Sequence, residues 1–244
     1  MILAAGLGTR LRPLTDHTPK ALIRVAGVPM LERVARRLVD AGVDHLIINV
    51  HHHADQVVDY VDRRDGFGVD VRLVHEVERP LETGGGLKHA RAHFRGGPFL
   101  VHNVDVISDM DLAGMVRAHQ DAGALATLAV QDRPSSRFLR FDDSGLQARV
   151  DRSAGRVDTA RPVHGDTRDR AFAGIHVISP GLFDLMTEDG VFSIIEPYLR
   201  LAGAGYRILP YEMTGDLWLE IGDPERLEAA RRFPRRSDGE REQT

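Results

Sequence analysis

Apolar residues recur along the chain at two spacings, and the alternation between them predicts the architecture. Short apolar runs of strand length (ILAA, HLIINV, VDVRLVHE, PFLVHNV and ALATLAV) are separated by segments whose apolar positions fall three and four apart. PMLERVARRLVDAG is the clearest of these. It starts with a proline read as the first helical position and puts Leu31, Val34, Ala35, Leu38 and Val39 on one face. ADQVVDYVDRR, GGLKHARAHF and DMDLAGMVRAHQDAG read as further helices. Strands alternating with helices predict an α/β domain with a mostly parallel sheet and helices on both faces. From about residue 131 to 170 the pattern breaks into hairpin-like pieces (FLRFDDSGLQARV) and a polar stretch, expected to form an inserted lobe over the sheet edge. Order returns with AFAGIHVIS, FSIIEPYLRLAGAG, YRILPYEM, DLWLEIG and PERLEAARRF. The expected organisation is one domain over residues 1–233, containing the small lobe, and a polar tail at 234–244 with nothing to bury.

Composition sharpens this in three ways. With 244 residues, 42% of them hydrophobic, the chain buries one substantial core, which excludes fibrous and disordered classes. No cysteine is present, so there is no disulfide framework and no thiolate metal site, as suits a reducing cytoplasm; neither a membrane span nor a signal peptide is expected. A net charge of -4 argues against a general nucleic-acid surface and leaves room for a local cationic pocket. Within the 32 basic residues only Lys20 and Lys88 are lysine, which singles them out where a compact point charge is needed.

The first strand is followed by GLGTRLRP, a glycine turn carrying two arginines. Glycines let backbone N–H groups approach an anion, and Arg10 or Arg12 forks onto it. The turn is neither a dinucleotide fingerprint, since Leu11 takes the third glycine's place, nor a P-loop, which needs Gly-Lys-Ser/Thr.

LAAGLGTRLRPLTDHTPKALIRVAGVPML closely resembles the signature of nucleotidyltransferases that make nucleotide sugars from an NTP and a sugar 1-phosphate. The resemblance continues in family order through HEVERPLETGGGL, NVD, AFAGIHVISP and WLEIGDPERLEAA. PLETGGG is most similar to N-acetylmuramic acid 1-phosphate uridylyltransferases, and the general pattern also suits hexose 1-phosphate guanylyltransferases. The resemblance implies a Rossmann-like fold of the GT-A type, with the lobe on the acceptor side. It implies UTP or GTP and a sugar 1-phosphate as partners, Mg²⁺ with Mn²⁺ as an alternative, a cytoplasmic monomer or small homo-oligomer, and no nucleic-acid or membrane partner. It places the triphosphate against Gly6, Leu7, Gly8, Thr9 and Arg10, and the nucleobase against Glu76, Glu82, Thr83 and Gly84, with backbone contacts from Ala5 and Gly6. Arg10, Lys20 and Asp105 are the implied catalytic set, Asp105 and Glu220 the metal ligands, and Asn103, Gly174 and Glu196 the sugar contacts.

Two departures from the family pattern bear on activity. Val104 stands where glycine is common and is expected to crowd the phosphates, and Glu220 stands where aspartate is common. A nucleotide-binding homologue without turnover is therefore the second hypothesis, with Asp223 as the rival acid. A glycosyltransferase using Asp109 and Asp111 is the third, although Asp109-Met110-Asp111 reads better as the acidic start of a helix. His51-His52-His53 is not expected to bind metal, because adjacent residues on an extended segment point to opposite faces. Trp218 is expected to pack rather than to serve as a stacking platform, and Glu196 reads equally as a solvated helix carboxylate.

Overall fold

A computed structural model describes residues 1–213 and 215–232; the expected tail lies outside the described residues. The chain runs β1 (Ile2–Leu3), β2 (Arg24–Val25), β3 (Val28–Pro29), α1 (Met30–Asp40), β4 (His45–Val50), α2 (Ala54–Asp62), β5 (Asp70–His75) and α3 (Glu82–His89). It continues with β6 (Phe99–Asn103), β7 (Val106–Ser108), α4 (Leu112–Ala122) and β8 (Ala126–Gln131). Then follow β9 (Arg137–Asp142), β10 (Gly145–Asp151), β11 (Arg156–Thr159), β12 (Arg168–Ile178) and α5 (Leu182–Leu185). The last elements are α6 (Ile195–Gly203), β13 (Ile208–Glu212), β14 (Trp218–Glu220) and α7 (Pro224–Arg232).

The main sheet is parallel through β5-β4-β1-β6. Its reversal comes at β12, which lies antiparallel to both β6 and β8, and β13 then pairs parallel to β8. The expected lobe is a meander of β9, β10 and β11 attached to the first three residues of β12, so β12 belongs to both sheets.

Helices cover both faces as the apolar spacing requires. Leu31, Val34, Ala35 and Leu38 of α1 join Ile2, Ile48 and Val50 in one cluster, while Leu87 of α3 and Tyr198 and Leu201 of α6 join Ile47, Val101 and Leu128 in the other. Each such buried side chain contributes about 1.5–3 kcal/mol relative to exposure. Pro29 caps α1 from an extended conformation (φ -59°, ψ 145°) rather than occupying its first turn. Asp111 caps α4 by accepting from the Gly114 amide at 2.8 Å. Among the described residues no helix is long and apolar enough to cross a membrane.

Candidate active site

The carboxyl ends of β1 and β6 place the glycine turn and Asp105 side by side, where open α/β sheets bind ligands. Gly8 has φ 64°, a conformation that favours glycine, and an added Cβ would lie 2.8 Å from Thr15 Cγ2 and 3.2 Å from Lys20 Cβ. The turn thus closes on the segment that carries Lys20, and the Thr15 hydroxyl locks it by donating to the Gly8 carbonyl at 2.9 Å. The Lys20 ammonium, 11% exposed, donates to the Asp105 carboxylate, 17% exposed. Ala5 is buried, whereas Gly6, Leu7, Thr9 and Arg10 are exposed on the turn, and nothing approaches a Cβ built at Gly6.

Asp105 and Glu220 come to one edge through two short paired strands, β7 and β14. β7 pairs antiparallel with β14, setting Glu220 opposite Val106, and the Ile221 amide donates to the Asp105 carbonyl at 3.0 Å. Glu220 faces two arginines, Arg10 at 4.0 Å and Arg226, which donates to its other oxygen. Gly222 makes room for this: an added Cβ would stand 2.8 Å from Glu220 Oε1 and 3.1 Å from Arg10 Nη2. Asp223 caps α7 through the Arg226 amide (2.9 Å) and pairs with the Arg226 side chain (3.3 Å), so its carboxylate is already engaged.

Three expected nucleobase contacts also brace the fold. Glu76 is 2% exposed; one oxygen accepts from Asn49 Nδ2 and the other from the Leu81 amide, both at 2.7 Å. Asn49 Oδ1 in turn accepts from the Ala4 amide at 2.8 Å, which ties β1, β4 and the start of α3 into one buried chain of hydrogen bonds. Thr83 accepts from the Ile194 amide at 3.0 Å and the Gly84 amide donates to the Phe192 carbonyl at 3.0 Å, docking α3 on the 190–194 segment. Glu82 alone of that set is exposed, in a left-handed conformation (φ 59°) at the head of α3.

On the acceptor side, Gly174 has φ 75°, and an added Cβ would fall 2.7 Å from Asn103 Nδ2, so the two expected sugar contacts touch. Glu196 is exposed on α6. Val104, expected to crowd the phosphates, is 4% exposed and packs into the core cluster that contains Val106, Met213 and Ile221. Asp109 accepts from the Leu217 amide (2.7 Å) and Asp111 caps α4, so neither is left for a glycosyltransferase metal. Lys88 reaches the Glu188 carbonyl (2.6 Å) and Asp189 (2.9 Å), tying α3 to a loop.

The histidine triplet has an unexpected use. His52 and His53 hydrogen-bond the carbonyls of Thr15 (3.3 Å) and Asp16 (3.1 Å), and Gln56 donates to that of His17 at 2.9 Å. The β4–α2 corner therefore clasps the segment between the glycine turn and Lys20. Asn49 carried a legible signal, a polar residue inside a run otherwise buried as β4; Arg226, Thr15 and the histidine clasp depend on contacts that no local pattern encodes.

Residues 1–235 match a family model described as nucleotidyl transferase. The N-acetylmuramate alpha-1-phosphate uridylyltransferase of Caulobacter vibrioides is 37% identical over 238 residues, covering 94% of this chain and 94% of that protein. The mannose-1-phosphate guanyltransferase 2 of Candida glabrata is 28% identical, covering 92% of this chain and 61% of its own length. A UDP-glucose pyrophosphorylase from Acinetobacter baumannii superposes with a TM-score of 0.76 at 19% identity, covering 94% of this chain and 90% of that one, a likeness of fold.

Proposed function

Since the chain belongs to the nucleotidyl transferase family, we propose that it condenses UTP with N-acetylmuramate 1-phosphate, or a closely related sugar 1-phosphate, to give a nucleoside diphosphate sugar and pyrophosphate. The observation that carries this reading is the Lys20–Asp105 contact at the mouth of the glycine turn. It joins a fixed cation to a carboxylate at the one place where two phosphate-bearing substrates must meet. Preference for UTP over GTP is supported by identity: the uridylyltransferase is 37% identical to this chain and the guanyltransferase 28%.

A phosphate oxygen of the sugar 1-phosphate attacks the α-phosphorus, and the bond from that phosphorus to the bridging oxygen of the β-phosphate breaks as pyrophosphate departs. No protein nucleophile is required, so the chain contributes position and charge. The turn from Gly6 to Arg10 offers backbone amides to the triphosphate, with Arg10 on the departing phosphates. Lys20 is placed to neutralise the α-phosphate and the incoming phosphate together. Ala5, Gly6 and Glu82 are the proposed contacts to the base, and Asn103, Gly174 and Glu196 those to the sugar.

Asp105 and Glu220 fit Mg²⁺, a hard ion that takes one or two carboxylates plus phosphate oxygens. Among the described residues no group of three or more His, Cys, Asp or Glu could hold a metal ion, so phosphate oxygens of the substrates would have to complete the shell. When bound, the ion would neutralise charge on the phosphates.

A matrix of UTP, GTP, dTTP, CTP and ATP against N-acetylmuramate, mannose and glucose 1-phosphates, read by pyrophosphate release, tests the proposal. The expected best pair is UTP with N-acetylmuramate 1-phosphate. A different best pair overturns the substrate assignment, and no release above a protein-free control overturns the activity.

A further inference from the structure

One cation at the edge of the cleft is not used by the reaction as described. Arg133, just beyond β8, lays its guanidinium over Trp218 with Cζ 3.5 Å from the ring centroid. Its Nη2 donates to the Phe172 carbonyl at 3.1 Å, and the Trp218 indole N–H donates to the Ala173 carbonyl at 2.9 Å. The pair therefore grips the two peptide groups immediately before Gly174, where β12 shifts register between Phe172 and His176. Trp218 is also two residues from Glu220 on β14, and residues so spaced on a strand share a face. Because Arg133 stacks on Trp218, it lies beside the strand that carries Glu220, the proposed metal ligand.

Stacking on an indole satisfies the face of a guanidinium and leaves its edge of N–H donors to be filled. One donor serves Phe172. Nε is enclosed and has no partner, and Nη1 makes no hydrogen bond among the described residues. The carboxylate whose charge it feels, Glu220, is already engaged by Arg10 and Arg226. Burial lowers the pKa of Arg133, an effect only partly offset by Glu220. Among the described residues Arg133 makes no ion pair, and a half-buried guanidinium stacked on an indole with donors to spare matches a tetrahedral anion with several acceptor oxygens.

We propose that Arg133 binds the phosphate of the sugar 1-phosphate, with Trp218 as the platform that presents it. This rests on the reading of the cleft as a site for a nucleotide and a sugar phosphate. Arg133 would then be an acceptor-specific residue, distinct from Lys20, which serves both substrates. The competing explanation is a brace that merely holds β12 in place, and it makes different forecasts.

Arg133→Met keeps the apolar stem and removes the charge; Arg133→Lys keeps the charge and loses the planar fork. Initial rates with UTP and N-acetylmuramate 1-phosphate, each varied at saturating levels of the other, should show KM for the sugar phosphate raised tenfold or more in Arg133→Met. KM for UTP should stay within twofold, and Arg133→Lys should recover part of the loss. Trp218 is the sole tryptophan, so its fluorescence reads the same event without turnover. Titration with N-acetylmuramate 1-phosphate in the presence of α,β-methylene-UTP should give a saturable change in the wild type that Arg133→Met loses. Equal changes in both KM values, or a lowered melting temperature with both unchanged, would overturn the proposal in favour of the brace. If no substrate pair turns over, the function reading fails by itself, and the fluorescence titration still decides on Arg133: a wild-type response lost in Arg133→Met upholds it, and no response overturns it. Should Arg133→Met not fold, Arg133→Lys decides by the same KM comparison.

Discussion

The Lys20 ammonium donates to the Asp105 carboxylate across 85 positions of chain, and the two are held there by different devices. Lys20 is fixed by the closure of the turn at Gly8 and by the histidine clasp on Thr15 and Asp16. Asp105 is fixed by the Ile221 amide at its carbonyl. Lys20→Ala should lower turnover by roughly 10²–10³-fold, the scale for losing one preorganised charge-stabilising group. Lys88→Ala should leave turnover nearly unchanged, because Lys88 only ties α3 to the 188–189 loop. Steady-state kinetics of the two variants decide; similar losses in both would remove the special role of Lys20.

Glu220 should govern the metal requirement. Glutamate reaches one methylene further than aspartate, and the paired β7 and β14 together with Gly222 leave space for that reach. Titration of activity with Mg²⁺ and Mn²⁺ should show a sharply raised requirement in Glu220→Ala and retained activity in Glu220→Asp. An unchanged metal dependence in the alanine variant would leave Asp105 as the sole protein ligand.

The glycine triplet at the head of α3 should matter for folding before it matters for substrate. A Cβ at Gly85 would overlap the Gly190 carbonyl oxygen and stand 3.0 Å from Leu81 Cβ, and one at Gly84 would overlap the Phe192 ring. Overpacking of this kind costs about 1–3 kcal/mol, which for a domain of this size lowers the melting temperature by about 2–12 °C. Gly85→Ala should show that drop in a thermal melt. Gly181→Ala, where nothing lies within 4 Å, should not.

Stability should fall with pH through the histidine range. Burial holds His102 down at about 4 and His176 at about 3, so both stay neutral in the folded chain while the unfolded chain protonates them near 6.5. Their contribution is therefore fully present above about pH 6.5 and is lost as pH falls toward the folded values, at up to about 1.4 kcal/mol per pH unit for each residue. Denaturant unfolding at pH 7, 6 and 5 should show this decline, with a shallower slope in His176→Gln. Equal slopes in the two proteins would mean that His176 is protonated in the fold.

The alternation of strand-length and helix-spaced apolar runs made the parallel half of the sheet and α1 legible, because burial on two faces leaves continuous runs and burial on one face leaves a stripe. The lobe was visible as a break in that pattern. What stayed hidden shares one physical cause: the information sits in pairs of distant residues. Val106–Ser108 is too short to show alternation, yet it carries Asp105 to Glu220. Nothing local shows that Asn49 and Leu81 hold the Glu76 carboxylate in place. Val104 looked like an obstruction, and it packs into the core. Trp218 packs against the core as read, and its contact with Arg133 is again a pairing of distant residues.

β12 changes partners along its length. Arg168, Asp169 and Arg170 pair with β9 of the lobe, Ala171 and Phe172 with β8, and Ile175 to Ile178 with β6, while the register against β8 shifts between Phe172 and His176. Within that shift the Ala173 carbonyl meets the Trp218 indole and Gly174 meets Asn103. One continuous strand therefore serves as the seam between the lobe and the cleft: a side chain added at Gly174 would press on Asn103 at the same point where the strand leaves one set of partners for the next.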